Sequence, residues 1–265
     1  MRVAFVQTEP KRLAVDDNVD RLCDMISNTD AELIVTPELC NTGYLFSDRE
    51  QLAEYAEEIP NGKTCRRLME LSKRQGRTIV FGMPEKDGSR LFNSAVLVQG
   101  GQYHIYRKIH LFGPETGYFD PGDLKPICFE RGGVKIGMMI CFDYFFPELC
   151  RVIALQGAHI ICHPSNLVTR FCQEIMKTRS VENRIFAITA NRIGDESLDK
   201  LDLHFTGSSQ ITGPDGKLIC RSDEDTEVAR IADIDPSAAE DKMVTPWNDL
   251  FQNRRPEFYE ELLRG

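Results

Sequence analysis

The sequence predicts an α/β fold, on three observations. Short apolar runs that read as strands alternate, from the first residues onward, with segments whose apolar residues repeat at helical spacing. No internal repeat, low-complexity stretch or Gly/Ser-rich linker divides the chain, so 1–265 reads as a single domain. Composition is ordinary for a globular protein, 42% hydrophobic and 28% charged over 265 residues, enough to bury a core without disulfides or metals.

Val3 to Val6 is a buried strand, and Val19, Leu22, Cys23 and Ile26 follow at helical spacing behind the candidate cap Asp17. Leu33 to Val35 is a second apolar strand ending at Thr36-Pro37-Glu38. Cys65, Leu68 and Met69 mark a helix stopped by Gly76, and Thr78 to Met83 is the next strand. Asn93–Val98 and Tyr103–Tyr106, joined through Gly100-Gly101, predict a hairpin. A loop punctuated by Gly113-Pro114, Gly117 and Pro121-Gly122 leads to the apolar strand Val134–Ile140. A helix then starts near Pro147 and ends at Gly157, with proline at the first turn and glycine past the end. Beyond it come the strand Ile160–Cys162, the helix Glu174–Arg184 and the strand Phe186–Thr189. Strands near Gly207–Thr212, Lys217–Cys220 and Val228–Ile234 complete the pattern, with a turn at Pro214-Asp215-Gly216. The tail from about 236 to 265 carries Trp247, Phe251 and Phe258 among charges and is expected to dock on a partner subunit. Pattern alone leaves two arrangements open, one doubly wound sheet or two packed sheets.

The net charge of −9 argues against a nucleic-acid partner, which needs clustered Lys and Arg. No apolar run approaches the length that spans a bilayer, and the apolar stretch at the N-terminus is too short for a signal peptide. Nine scattered cysteines read as reduced thiols, so a cytoplasmic location is expected. There is no CxxC pair, and the five histidines form no finger-like spacing with the cysteines. No metal and no cofactor are expected.

The sharpest local feature is Gly137-Met138-Met139-Ile140-Cys141-Phe142-Asp143, where an apolar strand runs into a cysteine just before a helix. A nucleophile on such a turn has an exposed side atom and backbone N–H groups nearby for a developing oxyanion. Taken alone, Cys141 is a buried small hydrophobe, as most free cysteines are. Glu38 at a strand's end can become a proton acceptor if desolvated, or is a solvated loop acid. Lys108, in Tyr106-Arg107-Lys108-Ile109-His110-Leu111-Phe112, can hold negative charge if it points inward, or belongs to a surface basic patch with Arg107. Glu115 in the following loop is a second site carboxylate or a solvated acid. Asp143 and Glu148 are expected to brace the turn and helix start. Arg179, Glu182 and Asn183 read as a structural network.

Taken together, Pro37-Glu38-Leu39, then Tyr106-Arg107-Lys108 with His110-Leu111-Phe112, then Cys141-Phe142-Asp143-Tyr144-Phe145-Phe146-Pro147-Glu148 resemble the nitrilase superfamily of carbon–nitrogen hydrolases. The likeness continues in Arg179–Asn183, Asn191–Gly194, Gly207-Ser208-Ser209 and Asp215-Gly216, and covers nearly the whole chain. The wording around Cys141 and in His163-Pro164-Ser165-Asn166-Leu167-Val168 is similar to a small branch with archaeal aliphatic nitrilases and related amidases. The resemblance implies a four-layer α-β-β-α sandwich and assembly as a homodimer or higher homo-oligomer. It assigns Cys141 as nucleophile, Glu38 as base, Lys108 and the Phe142 N–H as charge stabilisers, and Glu115 as a supporting carboxylate. Tyr44, Tyr144 and Asn166 are expected in the substrate pocket by the same likeness. Two carboxylates beside one lysine should push at least one carboxyl pKa upward. The activity it implies is hydrolysis of a small carboxamide to acid and ammonia through a thioester. A nitrilase acting on a small aliphatic nitrile would use the same residues. Transfer of the acyl group to another acceptor, or a non-catalytic binding module on the same fold, are the remaining readings.

Overall fold

The computed structural model describes residues 1–264. Its strands, in chain order, are β1 (Arg2–Gln7), β2 (Leu33–Val35), β3 (Thr78–Asp87), β4 (Arg90–Gln99), β5 (Gln102–Arg107), β6 (Phe129–Arg131) and β7 (Val134–Met138). They continue with β8 (Ile160–Ser165), β9 (Phe186–Asn191), β10 (Ile193–Leu198), β11 (Leu201–Thr206), β12 (Gln210–Thr212), β13 (Leu218–Arg221) and β14 (Val228–Asp233). The α-helices are α1 (Val15–Ser27), α2 (Arg49–Tyr55), α3 (Lys63–Gln75), α4 (Pro147–Leu155) and α5 (Cys172–Asn183).

Two six-stranded sheets form, in the orders β14-β1-β2-β3-β4-β5 and β13-β12-β9-β8-β7-β6. Each has parallel strands at its centre and antiparallel strands outside: β1-β2-β3 in the first sheet, β7-β8-β9 in the second. The alternation along β1 shows how the layers are built. Val3 and Phe5 join a cluster with Val35, Val80, Ile136, Ile161 and Ile188, which fills the space between the sheets. Ala4 and Val6 join Leu22, Ile26, Cys65 and Leu68 of α1 and α3 on the opposite face. On the far side of the second sheet, Cys150 and Ile153 of α4 and Met176 of α5 cover β7 and β9. Successive residues of a strand point to opposite faces, so both faces of β1 are buried and its apolar run is continuous. This is the four-layer α-β-β-α order, and it resolves the choice between one sheet and two.

Three local expectations are corrected. Helix α1 starts at Val15 after Ala14, so Asp17 lies in its first turn, where its charge meets the helix dipole, and is not the cap. Helix α2 was not anticipated; its signal is Asp48, whose carboxylate accepts from the Gln51 N–H as a side-chain cap. The hairpin β10–β11 was missed because its outer residues are polar on both faces and give no clean alternation. By contrast, α3 ends at Gly76 in the left-handed conformation, and β4 turns into β5 at Gly100-Gly101, as expected. The tail after Pro236 forms short turns and a small two-stranded ribbon, with Trp247 83% and Leu263 90% exposed. No helix among the described residues is long and apolar enough to cross a membrane.

Candidate active site

Four chain segments converge beyond the ends of the central strands. The segment after β2 carries Glu38 and lies against β3, because Gly82 has no side chain. A Cβ there would sit 2.5 Å from the Glu38 Cα, and backbone bonds from Gly82 N–H to Pro37 and from Cys40 N–H to Gly82 lock the approach. Lys108 is the residue after β5. Its neighbour Arg107 points to the other face, where Glu85, Asp87 and Asp123 neutralise it and its guanidinium covers the Phe92 ring at 3.9 Å. The expected alternative of a shared surface basic patch is therefore overturned: both cations are buried, and period two sends them to opposite faces, each to its own carboxylates. Lys108 and Glu38 are both buried, as is Glu115.

The ammonium of Lys108 donates to Glu38 Oε1 at 2.7 Å and to Glu115 Oε1 at 2.7 Å. Glu115 Oε1 also accepts from the Tyr44 hydroxyl at 2.7 Å, and Glu115 Oε2 accepts from the Phe112 N–H at 3.4 Å. Glu38 Oε1 has a second donor too, the Asn93 side-chain amide at 2.7 Å, whereas Glu38 Oε2 has no partner among the described residues. One cation thus faces two carboxylates. Burial raises the Glu115 carboxyl to about 7; Lys108 opposes the rise and the Glu38 charge adds to it. For Lys108, burial works against the charged form, but Glu115 and Glu38 outweigh it and the ammonium is held well above its usual range.

Strand β7 ends at Met138, two residues short of the Ile140 expected, and after Met139-Ile140 Cys141 opens a 3₁₀ turn with φ of +42°, a left-handed conformation that a non-glycine residue adopts only when its surroundings impose it. Two groups impose it. The buried His163 on β8 binds the Cys141 carbonyl through Nε2 at 2.9 Å, and burial pushes its imidazole down to about 4, so it is neutral. Asp143 Oδ2 accepts from the Ile140 N–H at 2.8 Å and the Tyr106 hydroxyl at 2.7 Å, and its Oδ1 lies 2.8 Å from His110 Nδ1. Asp143 therefore braces the turn from within, while Glu148 is exposed in the first turn of α4. The Cys141 thiol is raised well above its usual range, first by burial and then by Glu38, against Lys108 and a hydrogen bond from the Asn166 backbone. The charges of Glu38, Lys108 and Glu115 all act on it. The first hydrogen bond of the turn runs from Asp143 N–H to Ile140, leaving the Phe142 N–H without an intrahelical acceptor.

A cavity of about 310 Å³ opens on Cys141. Phe112, Phe142, Tyr144, Phe145 and Phe171 form its aromatic walls, and Asn166 to Thr169 form the rest. No Asp, Glu, Lys, Arg or His lines it among the described residues. Asn166 is buried there with both side-chain polar atoms unpartnered among the described residues. Tyr144 is on the wall as expected. Tyr44, expected there too, is engaged with Glu115 instead, because its backbone is tied to Glu196 and its ring turns edge-on to Phe205. Arg179, Glu182 and Asn183 lie apart from the cavity. Arg179 donates to the Tyr144 carbonyl at 3.1 Å and Asn183 to the Arg179 carbonyl at 2.9 Å, the structural network expected. Asn93 and His163 were given no site role from the sequence, although His163 opens one of the motifs quoted above. Their signal is a polar residue inside an otherwise apolar strand, in Leu91-Phe92-Asn93 and in Ile160-Ile161-Cys162-His163.

A thiol on a strained turn, flanked by carboxylates and an amine at the foot of a neutral cleft, on a two-sheet sandwich, defines a carbon–nitrogen hydrolase of the nitrilase superfamily. The chain belongs to the carbon–nitrogen hydrolase family, which matches residues 2–242. It is 42% identical over 263 residues to a nitrilase of Pyrococcus abyssi, covering 98% of this chain and 99% of that one. It is 31% identical to an N-carbamoylputrescine amidase of Arabidopsis thaliana, over 88% of this chain and 84% of that one. Among solved structures, an amidase from Nesterenkonia sp. superposes with a TM-score of 0.81 at 26% identity, covering 99% of this chain and 96% of that one.

Proposed function

We propose that this enzyme hydrolyses small, uncharged carboxamides to the acid and ammonia through a thioester on Cys141. What supports the reading is that Glu38 and Lys108, paired at 2.7 Å and buried, lie close enough for their charges to act on the Cys141 thiol, which itself opens on an apolar cavity. Because the thiol is protonated at rest, it needs a base at the moment of attack. Glu38 takes that proton as sulfur attacks the carbonyl carbon. Lys108 and the Phe142 N–H hold the oxyanion, and Glu38 passes its proton to the departing ammonia. Glu38 then activates the water that hydrolyses the thioester. Glu115 and Tyr44 hold Lys108 in place. The cavity is too poor in charge to match a cationic or zwitterionic acyl group, so an aliphatic or aromatic side chain of modest size fits it best.

The 42% identity to a nitrilase favours a second reading, in which the same thiol attacks a short nitrile. Ammonia release from propionamide, butyramide and benzamide, measured against propionitrile and butyronitrile, separates the two. Amide turnover at least tenfold above nitrile turnover is expected; the reverse ratio makes the enzyme a nitrilase, and absence of both favours a binding module. Added hydroxylamine would reveal acyl transfer as a hydroxamate product. We further propose that residues 1–265 work as one catalytic domain whose 236–265 tail meets a second copy of the chain. Trp247, Phe258 and Leu262 are exposed there beside a hollow of about 540 Å³ between the tail and α4, away from Cys141. Light scattering on the intact chain and on Trp247→Ser tests that assembly. The nine reduced cysteines suit a cytoplasmic location.

A further inference from the structure

Glu38 and Glu115 share one lysine, but their oxygens are not used alike. Both oxygens of Glu115 accept hydrogen bonds, from Lys108 and Tyr44 on one and from Phe112 on the other. On Glu38 the two donors crowd onto Oε1, Lys108 and Asn93 each at 2.7 Å, and Oε2 is bare among the described residues although it is buried. We propose that Asn93 is a positioning residue that, with Lys108, reserves Oε2 of Glu38 as the oxygen that carries the proton through the reaction. The proposal rests on the thiol-hydrolase reading and deepens it.

An ammonium has three N–H donors and no acceptor, and the side-chain nitrogen of an asparagine is a donor only. A proton on Oε1 would point at two donors and find no partner. Oε2 faces neither, so protonation there leaves both bonds to Oε1 intact. The Asn93 amide is oriented by the same logic: turned over, its carbonyl oxygen would face a carboxylate oxygen, acceptor against acceptor. Asn93 also sets the position of the amine, because its backbone carbonyl accepts the Lys108 N–H at 2.8 Å. One buried residue of β4 therefore fixes the base through its side chain and the lysine through its backbone.

As the S–C bond forms, the S–H proton moves to Oε2 and the carbonyl π pair moves onto oxygen. The proton on Oε2 then goes to the amide nitrogen as the C–N bond breaks and ammonia leaves. Water next gives a proton to Oε2 while its oxygen bonds the acyl carbon. The C–S bond breaks and sulfur recovers that proton, leaving acid and the free thiol.

The test is the pH profile of Cys141 alkylation by iodoacetamide, read by mass spectrometry, together with propionamide turnover where present. Asn93→Ala and Asn93→Asp both remove the N–H donor; the second keeps the shape, so a packing failure of the first does not end the test. Both should alkylate at least about tenfold more slowly at pH 7, with the acidic limb moved to higher pH, because a donor that favoured the ionised carboxylate is gone. Asn93→Asp should move it further, having placed a second carboxylate beside the first. Turnover should lose kcat with KM little changed. A variant that alkylates a smaller fraction of molecules along an unshifted profile has only a structural defect, and that result overturns the proposal, as does an unchanged rate and profile in Asn93→Asp. Alkylation does not depend on the substrate, so a shifted profile in an enzyme that turns over no amide would sink the amidase reading and leave this one standing.

Discussion

Two buried charge clusters sit side by side in this protein, and they are built on opposite rules. Arg192 and Glu196 are both buried and pair one to one, with Arg192 Nη1 2.5 Å from Glu196 Oε2. Every remaining site on that carboxylate is met: Oε1 accepts the Tyr44 N–H at 3.0 Å and the Leu45 N–H at 2.6 Å. The guanidinium itself covers the Phe205 ring at 3.9 Å. In the neighbouring cluster one Lys108 serves two carboxylates, one oxygen is left bare, and one carboxyl is raised to about 7. Fully satisfied charge is inert and sets the loop that carries Tyr44. Deliberately unequal charge leaves a proton with somewhere to go. The two clusters are joined through Tyr44, whose backbone belongs to the first and whose hydroxyl belongs to the second.

Breaking each cluster should therefore have opposite consequences. The largest effect is expected from Cys141→Ala and Glu38→Gln, which should lower kcat by at least about 10³–10⁴-fold, since residues that act as a unit fail together. Neither should lower the melting temperature, because neither leaves a charge stranded; steady-state kinetics and calorimetry on the same samples check both halves. Next comes Arg192→Met. Removing one partner of a buried pair strands the other, at a cost of about 3–5 kcal/mol in urea unfolding, while the folded fraction keeps kcat within severalfold. Loss of activity without loss of stability there would erase the distinction between the clusters.

Glu115→Gln sharpens the contrast, because it converts the unequal cluster into a one-to-one pair. The Glu115 carboxyl sits near 4.5 when exposed and near 7 when folded. Between those values the folded chain holds a proton that the unfolded chain has released. The native state's advantage from that proton is complete below about 4.5 and is lost as pH rises through 7. The stability of Glu115→Gln relative to the parent should accordingly grow from pH 5 to pH 8, by on the order of 1–3 kcal/mol, as kcat falls. A pH-independent difference would show that Glu115 carries no extra proton.

The legible parts of this molecule are those where one residue type admits few roles. Gly76 and Gly100-Gly101 announced turns because left-handed backbone favours glycine, and the short apolar runs of β1 and β8, bounded by turn signals and too short for a helix, read as buried strand. The Glu38, Lys108, Cys141 and Glu115 segments were legible only as a set, since each alone has a commoner bland reading. Whether Lys108 pointed inward depended on the phase of β5, which a single residue of register would have reversed. The partners were not legible. Asn93 and His163 lie on strands distant in sequence from the residues they hold, and nothing local records which of two carboxylates receives a donor. Tyr44 reads as a pocket residue until the Glu196 bonds, 152 positions away, turn it toward Glu115.

The smallest expected effect probes the wall rather than the charges. Phe171 is 62% exposed at the rim of the cavity, on the first residues leading into α5, and it touches none of the proton-bearing groups. On the proposed amidase reading its contribution is contact area with the acyl chain, the same before and during reaction, and such uniform binding changes KM and not kcat. Truncating a half-exposed ring removes roughly 1 kcal/mol of apolar contact at about 25 cal/mol per Å². Phe171→Ala should therefore raise KM for butyramide or benzamide about three- to fivefold at unchanged kcat, and leave acetamide, too short to reach the rim, unaffected. A fall in kcat for acetamide would mean that the rim is mechanically coupled to the Cys141 turn. The division between a binding wall and a charge-bearing floor would then have to be given up.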